Sequence, residues 1–135
     1  MIKKISWDMI HFESESLAEK LKDGGYDYVY AVPRGGYIPA VIVSHELNIP
    51  ITSTLDVEGK VIVIDDVCDS GNTLQLYKDY DVAAVYMNEK NCKYPPKFYG
   101  RLVDEWVEFP YEQPAKDTVS VVQCSEVAMN NEEDI

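Results

Sequence analysis

The residues best suited to chemistry stand together where an apolar run becomes acidic. Residues 61–64 read Val-Ile-Val-Ile, and Asp65, Asp66 and Asp69 follow directly. Carboxylates at the end of a strand can accept hydrogen bonds from sugar hydroxyls or hold Mg²⁺ through water. An acidic pair alone also fits a solvated strand end, because the loops between elements are usually polar.

The loop that follows, residues 69–73, reads Asp-Ser-Gly-Asn-Thr and suits a phosphate. Its small residues allow backbone N–H groups to converge, and a helix that begins after it would favour an anion at its N-terminus. Ser70 and Thr73 add two hydroxyl donors. The segment therefore has one part suited to a sugar and one suited to a phosphate, and a ribose 5-phosphate satisfies both.

The spacing of apolar residues predicts the elements that must position this segment. We predict helices over residues 14–22, 38–47 and 73–80, and strands over residues 28–32, 51–55, 61–64, 82–87 and 101–109. Ser14 or Ser16 is expected to cap the first helix. This order predicts an α/β fold, a mostly parallel, twisted sheet flanked by helices. Ligands of such sheets bind beyond the carboxyl ends of the strands, where Arg34, Gly35 and Gly36 follow the first predicted strand.

Length and charge limit the classes of protein to consider. The 135 residues suit one domain, with a core of about residues 24–90, a small hood from about residues 1–13 and 91–115, and an acidic tail of about residues 116–135. The net charge of −12 argues against binding to nucleic acid or to an anionic membrane, because there is no basic patch to neutralise phosphates. No apolar run approaches the length that spans a membrane.

The cysteines and the first four residues indicate in which cellular compartment the protein is found. Cys68, Cys92 and Cys124 have no metal-ligand spacing, and we expect them to be reduced thiols. No apolar segment follows residues 1–4, which argues against a signal peptide. These features predict a soluble, cytoplasmic protein.

Other phosphate-binding α/β families do not fit the spacing. The pattern GxxxxGK[ST] is absent, and so is GxGxxG after a strand. A phospho-receiver domain also carries an early acidic pair, but it needs a further Asp at a later strand end. Residues 85–90 read Val-Tyr-Met-Asn-Glu-Lys and offer none. The pattern therefore favours a ribose-phosphate site.

Four blocks of the sequence carry a family resemblance. VIVIDDVCDSGNTL resembles the ribose-phosphate motif of the type I phosphoribosyltransferases, and AVPRGGYIPA resembles their pyrophosphate-binding turn. ISWDMIH and WVEFPYE resemble the branch that uses guanine, xanthine or hypoxanthine. The resemblance implies an enzyme that transfers the 5-phosphoribosyl group from phosphoribosyl pyrophosphate (PRPP) to one of these purines, giving a nucleoside 5′-monophosphate and pyrophosphate. It also implies a homo-oligomer, a dimer or a tetramer.

The resemblance implies roles for the residues that bind PRPP. Asp65 and Asp66 would bind the ribose hydroxyls with Mg²⁺ nearby, and Asp69 would be the general base facing purine N7. The 5′-phosphate would lie on Ser70, Gly71, Asn72 and Thr73, and the pyrophosphate on Arg34, Gly35 and Gly36. Arg34 also fits an ordinary surface arginine.

At the purine end the resemblance implies four further residues. Lys90 would contact the 6-oxo group, Trp106 would stack on the base, and Val107 and Glu112 would lie near the exocyclic group. Without the resemblance, a solvated lysine and a core tryptophan are the ordinary interpretations. Trp7 is expected to pack the hood.

The chain departs from the family in one place. Type I phosphoribosyltransferases carry a long flexible hairpin before the acidic strand, which closes over the site. Here residues 56–59 are the whole connection, so the lid is essentially missing. Because lids exclude water and complete the site, an alternative is a non-catalytic module that binds PRPP or a nucleotide. Retention of Asp69, Lys90 and Trp106 favours the enzyme.

Overall fold

A computed structural model describes residues 2–112, which form three helices and six strands. The helices are α1 (Trp7–Leu21), α2 (Tyr37–Leu47) and α3 (Asn72–Gln75). The strands are β1 (Ile2–Lys4), β2 (Tyr28–Ala31), β3 (Val61–Cys68), β4 (Asp81–Asn88), β5 (Phe98–Val103) and β6 (Trp106–Glu108). Within residues 2–112, no helix has both the length and the apolar character needed to cross a membrane. The predicted acidic tail, residues 116–135, lies outside the described part.

The main sheet has the order β2-β3-β4-β5, and every neighbouring pair is parallel. Ile64 of β3 pairs with Ala31 of β2 on one side and with Ala83 of β4 on the other. A parallel sheet with helices confirms the predicted α/β class. It also brings the carboxyl ends of β2 and β3, with the loops that follow them, to the same edge of the sheet.

The apolar run at the start of β3 is buried on both faces of the sheet. Ile62 and Ile64 belong to the core cluster that includes residues of α1 and α2, and Val61 and Val63 belong to the cluster on the opposite face. Successive side chains of a strand point to opposite faces. A strand covered on both sides therefore needs apolar residues at every position, which is why this run does not alternate.

Helix α1 begins seven residues earlier than the predicted residue 14, and this expectation was wrong. Ser6 is the N-cap, and its Oγ accepts a hydrogen bond of 3.1 Å from the backbone N–H of Met9. Ile10 and Leu17 are buried on one face of the helix, so the apolar periodicity continues through the segment assigned to the hood. Ser14 is fully buried in the helix interior and caps nothing.

Three other elements differ from prediction. Residues 51–55 form no strand, because only Ile51 bridges to Val29. The predicted strand over residues 101–109 is two strands, β5 and β6, with a bend between them. Helix α3 ends after one turn, since Leu74 is its only buried residue and little burial stabilises a longer helix.

The small hood is built from the two ends of the described chain. β1 and β6 pair in parallel, with Ile2 opposite Trp106 and Lys3 opposite Val107. The Trp7 ring lies 5.7 Å from the Tyr111 ring, which confirms the packing expected of Trp7. Residues 113–115 of the predicted hood lie outside the described residues.

Two serine substitutions test the start of α1. Ser6→Ala should lower the free energy of unfolding by about 0.5–2 kcal/mol, because it removes the N-cap acceptor. Ser14→Ala should leave it unchanged or raise it, because among the described residues the buried Ser14 hydroxyl has no hydrogen-bond partner. Urea unfolding measures both variants. A larger loss for Ser14→Ala than for Ser6→Ala would contradict this account of α1.

Candidate active site

A cavity of about 860 Å³ opens where β2 and β3 end, a size that suits a small-molecule ligand. Three segments form its wall: the turn from β2 into α2, the end of β3 with the loop that follows, and the last described residues. The predicted site residues among its lining are Arg34, Gly35, Asp65, Asp66, Asp69, Ser70, Gly71, Thr73 and Glu112.

The two adjacent carboxylates of Asp65 and Asp66 form the floor of the cavity. They lie within β3, not after it, and each residue is only 8% exposed. Asp65 Oδ1 accepts a hydrogen bond of 2.8 Å from the Asp66 N–H, and Asp66 Oδ1 accepts one of 2.8 Å from the Val67 N–H. Burial raises the pKa of both carboxyl groups, and for Asp65 the nearby Asp66 charge raises the pKa further. Folding therefore disfavours two full negative charges on this pair.

The two glycines after Arg34 bring its turn onto this floor. A Cβ at position 35 would lie 2.2 Å from Asp66 Oδ2, and one at position 36 would lie 2.4 Å from the Ile64 carbonyl oxygen. Any larger side chain would displace the carboxylate or the strand backbone. Gly36 therefore has a packing role and does not line the cavity, whereas Gly35 and Arg34 do.

The segment after β4 packs against the small-residue loop that follows β3. Gly71 has φ +91°, and a Cβ there would lie 2.5 Å from the Tyr94 carbonyl oxygen. The Lys93 N–H donates a 2.8 Å hydrogen bond to the Ser70 carbonyl oxygen. Within the loop, the Asn72 N–H donates to Ser70 Oγ at 3.2 Å, but Asn72 itself points away from the lining.

Asp69 and Glu112 lie at the cavity as predicted. The Asp69 Oδ1 accepts a hydrogen bond of 3.3 Å from Asn91 Nδ2, so its carboxylate already has a polar neighbour on one side. The Glu112 Oε1 accepts a 2.7 Å bond from the Phe109 N–H and closes the turn that ends the described chain.

Three of the predicted purine contacts are not among the lining residues. Lys90 Nζ lies 3.9 Å from Asp104 Oδ2, on an exposed side chain. Trp106 is 59% exposed on β6, and Val107 beside it is buried in the core. Trp106 and Val107 face opposite sides of β6, and the contact of Trp106 with a purine stays a prediction.

Tyr37 and Tyr111 are the aromatic residues that line the cavity, and Tyr111 contacts the acidic pair. The Tyr111 hydroxyl donates a 3.0 Å hydrogen bond to Asp66 Oδ2, and burial and the Asp66 charge raise the pKa of that hydroxyl. Its ring stacks on Phe109 at 5.3 Å, with 10° between the ring planes. The WVEFPYE block contains Tyr111, but a single sequence does not show which of its three aromatic rings faces a ligand.

The connection before β3 contains no lid. Residues 48–60 join α2 to β3 without a helix or strand of their own. Leu55 and Val57, partly buried, pack against the sheet on the face opposite α1 and α2. The segment that closes over the site in the resembled family is thus replaced here by a short connection packed on the core.

The acidic pair fits a cation that a substrate helps to hold. Within residues 2–112, no three His, Cys, Asp or Glu side chains converge into a metal-binding cluster. Mg²⁺ usually keeps several waters and binds one or two carboxylates together with substrate phosphates. Asp65 and Asp66 supply that number of carboxylates. Their raised pKa values indicate that a positive charge beside them would be favourable.

Comparison with known proteins decides the family. Over an alignment of 147 residues, the chain is 31% identical to the xanthine-guanine phosphoribosyltransferase of Roseobacter denitrificans, covering 80% of this chain and 84% of that protein. The chain belongs to the xanthine-guanine phosphoribosyltransferase family. A second relative with the same name, from Idiomarina loihiensis, is 30% identical and covers 80% of this chain and 85% of its own. No model of a protein family matches the chain.

Two solved structures, each 25% identical to this chain, have a similar fold. A purine phosphoribosyltransferase from Pyrococcus horikoshii superposes with a TM-score of 0.72 at 25% identity, covering 88% of this chain and 98% of its own. A protein from Neisseria gonorrhoeae with bound ppGpp gives a TM-score of 0.64 at 25% identity, covering 97% of this chain and 98% of its own.

The alignment lengths also agree with a missing segment. The alignment with the Roseobacter protein runs over 147 residues, more than the 135 of this chain, yet covers only 80% of it. That relative must therefore contain residues that have no counterpart here, as the loss of a hairpin requires.

The buried acidic pair should make stability depend on pH. A carboxyl pKa raised by folding means that the folded state keeps protons that the unfolded state loses, so stability falls as the pH rises above about 4. Asp65→Asn should flatten this fall and raise the free energy of unfolding at pH 8 by on the order of 1–3 kcal/mol.

Urea unfolding of the ligand-free protein between pH 5.5 and 8.5 measures the effect. The matched control is Asp79→Asn, the same change at an exposed position, which should keep the wild-type slope. Parallel curves for Asp65→Asn and the wild type would contradict the electrostatic account of the floor.

Proposed function

We propose that the protein transfers the 5-phosphoribosyl group of PRPP to guanine, xanthine or hypoxanthine. The observation that carries the proposal is the cavity itself, in which a buried acidic pair, a small-residue loop and an Arg-Gly-Gly turn face one another. The chemistry replaces the bond from the anomeric carbon to pyrophosphate with a bond to a purine ring nitrogen. Family membership supports this reaction, since the relatives are named for it.

The residues of the floor and the loop would bind and orient PRPP. Asp65 and Asp66 accept hydrogen bonds from the ribose hydroxyls, and their negative charge favours the cationic, oxocarbenium-like ribose of the transition state. The backbone N–H groups and hydroxyls of Ser70 and Thr73 hold the 5′-phosphate. Mg²⁺ bound beside Asp65 and Asp66 would offset charge on the pyrophosphate as it leaves.

Asp69 and Arg34 would act on the two groups exchanged at the anomeric carbon. Arg34 lines the same cavity, and we assign it to the leaving pyrophosphate. Asp69 accepts a proton from the purine as the purine ring nitrogen attacks. The purine therefore does not keep the positive charge that this proton would leave on it.

The purine would bind beside the last described residues. Tyr111 offers an aromatic ring backed by Phe109, and Glu112 adds a carboxylate at the same edge. Aromatic rings are suitable platforms for stacking a base. Lys90 and Trp106, expected to meet the purine, are not among the residues that line the cavity, and we assign stacking to Tyr111. We further propose that the protein is cytoplasmic and assembles as a homo-oligomer.

A second candidate is a nucleotide-binding regulator without transferase activity. Two observations favour it. The lid is absent, and the Neisseria protein, whose structure aligns with 97% of the residues of this chain, holds ppGpp. An open site excludes water poorly, and water exclusion protects reactive intermediates. The regulator would use the same floor and loop, because ppGpp also combines a ribose with phosphates.

A product assay separates the two candidates. Purified protein with Mg²⁺, PRPP and guanine, xanthine or hypoxanthine should release pyrophosphate and form the matching monophosphate, detected by chromatography. Because the site lacks a lid, we also expect ribose 5-phosphate from attack by water. Adenine serves as the control base. Calorimetric binding of ppGpp with no product from any purine would favour the regulator and refute the enzyme.

Asp69→Asn tests the proton acceptor. The substitution should lower kcat by about 10²–10⁴-fold, the usual contribution of a general base, and leave the affinity for PRPP nearly unchanged. Asp79→Asn, an exposed change of equal charge, is the control and should retain full turnover. Unchanged kcat in Asp69→Asn would remove this residue from the mechanism.

A further inference from the structure

Two free thiols meet at the wall of the cavity. Cys68, the last residue of β3, and Cys92, in the segment after β4, have their Sγ atoms 3.0 Å apart. This separation is about 1 Å longer than a disulfide bond. Cys68 is buried and lines the cavity, whereas Cys92 is partly exposed and can meet a dissolved oxidant.

The segment that carries Cys92 is hydrogen-bonded to the end of β4 and to the loop that follows Cys68. The Cys92 N–H donates to the Asn88 carbonyl oxygen at 3.0 Å, and the Lys93 N–H donates to the Ser70 carbonyl oxygen at 2.8 Å. The Cys68 thiol points at the Tyr94 carbonyl oxygen, 3.7 Å away. A bond between the two sulfurs would therefore need only a small rotation of the side chains.

The neighbours of the two cysteines include the proposed proton acceptor. Asp69 follows Cys68 and Asn91 precedes Cys92, and Asn91 Nδ2 donates to Asp69 Oδ1 at 3.3 Å. A covalent bond between the cysteines would hold this neighbouring pair in contact. A carboxylate held in place by an amide donor is less free to turn toward the purine.

We propose that Cys68 and Cys92 form a redox modification site, at which an intramolecular disulfide fixes Asn91 on Asp69 and lowers transferase activity. The effect on activity rests on the function proposed above, but the disulfide itself does not. The oxidant we name is a peroxide. The Cys92 sulfur attacks a peroxide oxygen, the O–O bond breaks, and a sulfenic acid and one water form. The Cys68 sulfur then attacks the Cys92 sulfur, and the S–O bond breaks as a second water leaves with the Cys68 proton.

The test uses the full chain with Cys124→Ser, so that the third thiol, outside the described residues, cannot compete. Hydrogen peroxide should remove two hydrogen atoms from the intact mass, and peptide mapping should join residues 68 and 92. The Tm should rise by roughly 5–15 °C, since a bond between residues 24 apart restricts the unfolded chain. Dithiothreitol should reverse both changes.

Activity gives the second readout. Oxidation should lower kcat by about tenfold or more and change the KM for PRPP by less than about twofold, because the acidic floor is not touched. Cys92→Ser should match the reduced protein and not respond to peroxide. These readouts separate the two proposals, because mass and Tm report the disulfide even if the reduced protein transfers nothing.

Three results would overturn the proposal. They are a cross-link absent from residues 68 and 92, oxidation of each thiol singly without a bond between them, and, where the reduced protein is active, an oxidised protein with the same kcat. The cross-link, the thiol oxidation and kcat are measured on the same samples, with Cys92→Ser treated in parallel as the control.

Discussion

The burial of two neighbouring carboxylates at the end of a central strand is the constraint on which the rest of the site depends. Charge removed from water is costly unless hydrogen bonds or opposite charge offset the loss. In Asp65 and Asp66 the offset is partial: backbone N–H groups and the Tyr111 hydroxyl supply donors, and both pKa values remain raised. A ligand that brings hydroxyl donors and a bound cation would supply the donors and the positive charge that these two carboxylates lack.

The surrounding elements can be understood as the support of this floor. Glycines at positions 35 and 36 let the turn after β2 approach the carboxylate and the strand backbone. The segment after β4 holds the phosphate loop from behind through Lys93 and Tyr94. Within residues 2–112, the connection over residues 48–60 contains no hairpin that could cover the site. A site without such a lid should protect a reactive intermediate poorly.

Much of the sheet and its acidic edge could be predicted, because those features depend on local sequence. A strand buried on both faces needs a continuous apolar run, and a phosphate loop needs small residues after it. The predictions of individual elements were wrong where tertiary packing decides the secondary structure. Residues 51–55 have the composition of a strand, but they meet β2 at one bridge alone, and α1 extends to Ser6 because its apolar face continues to find partners.

The sequence by itself determined the chemical character of the site: three aspartates, a small-residue loop and an arginine with two glycines, all within short segments. Only the tertiary structure decided which aromatic rings line that cavity. Neighbouring residues of a strand face opposite ways, and the pairing of β6 with β1 leaves Trp106 exposed and Val107 buried. The chain then turns so that Tyr111 reaches Asp66, 45 residues earlier, because a contact across that separation depends on strand pairing and not on local pattern.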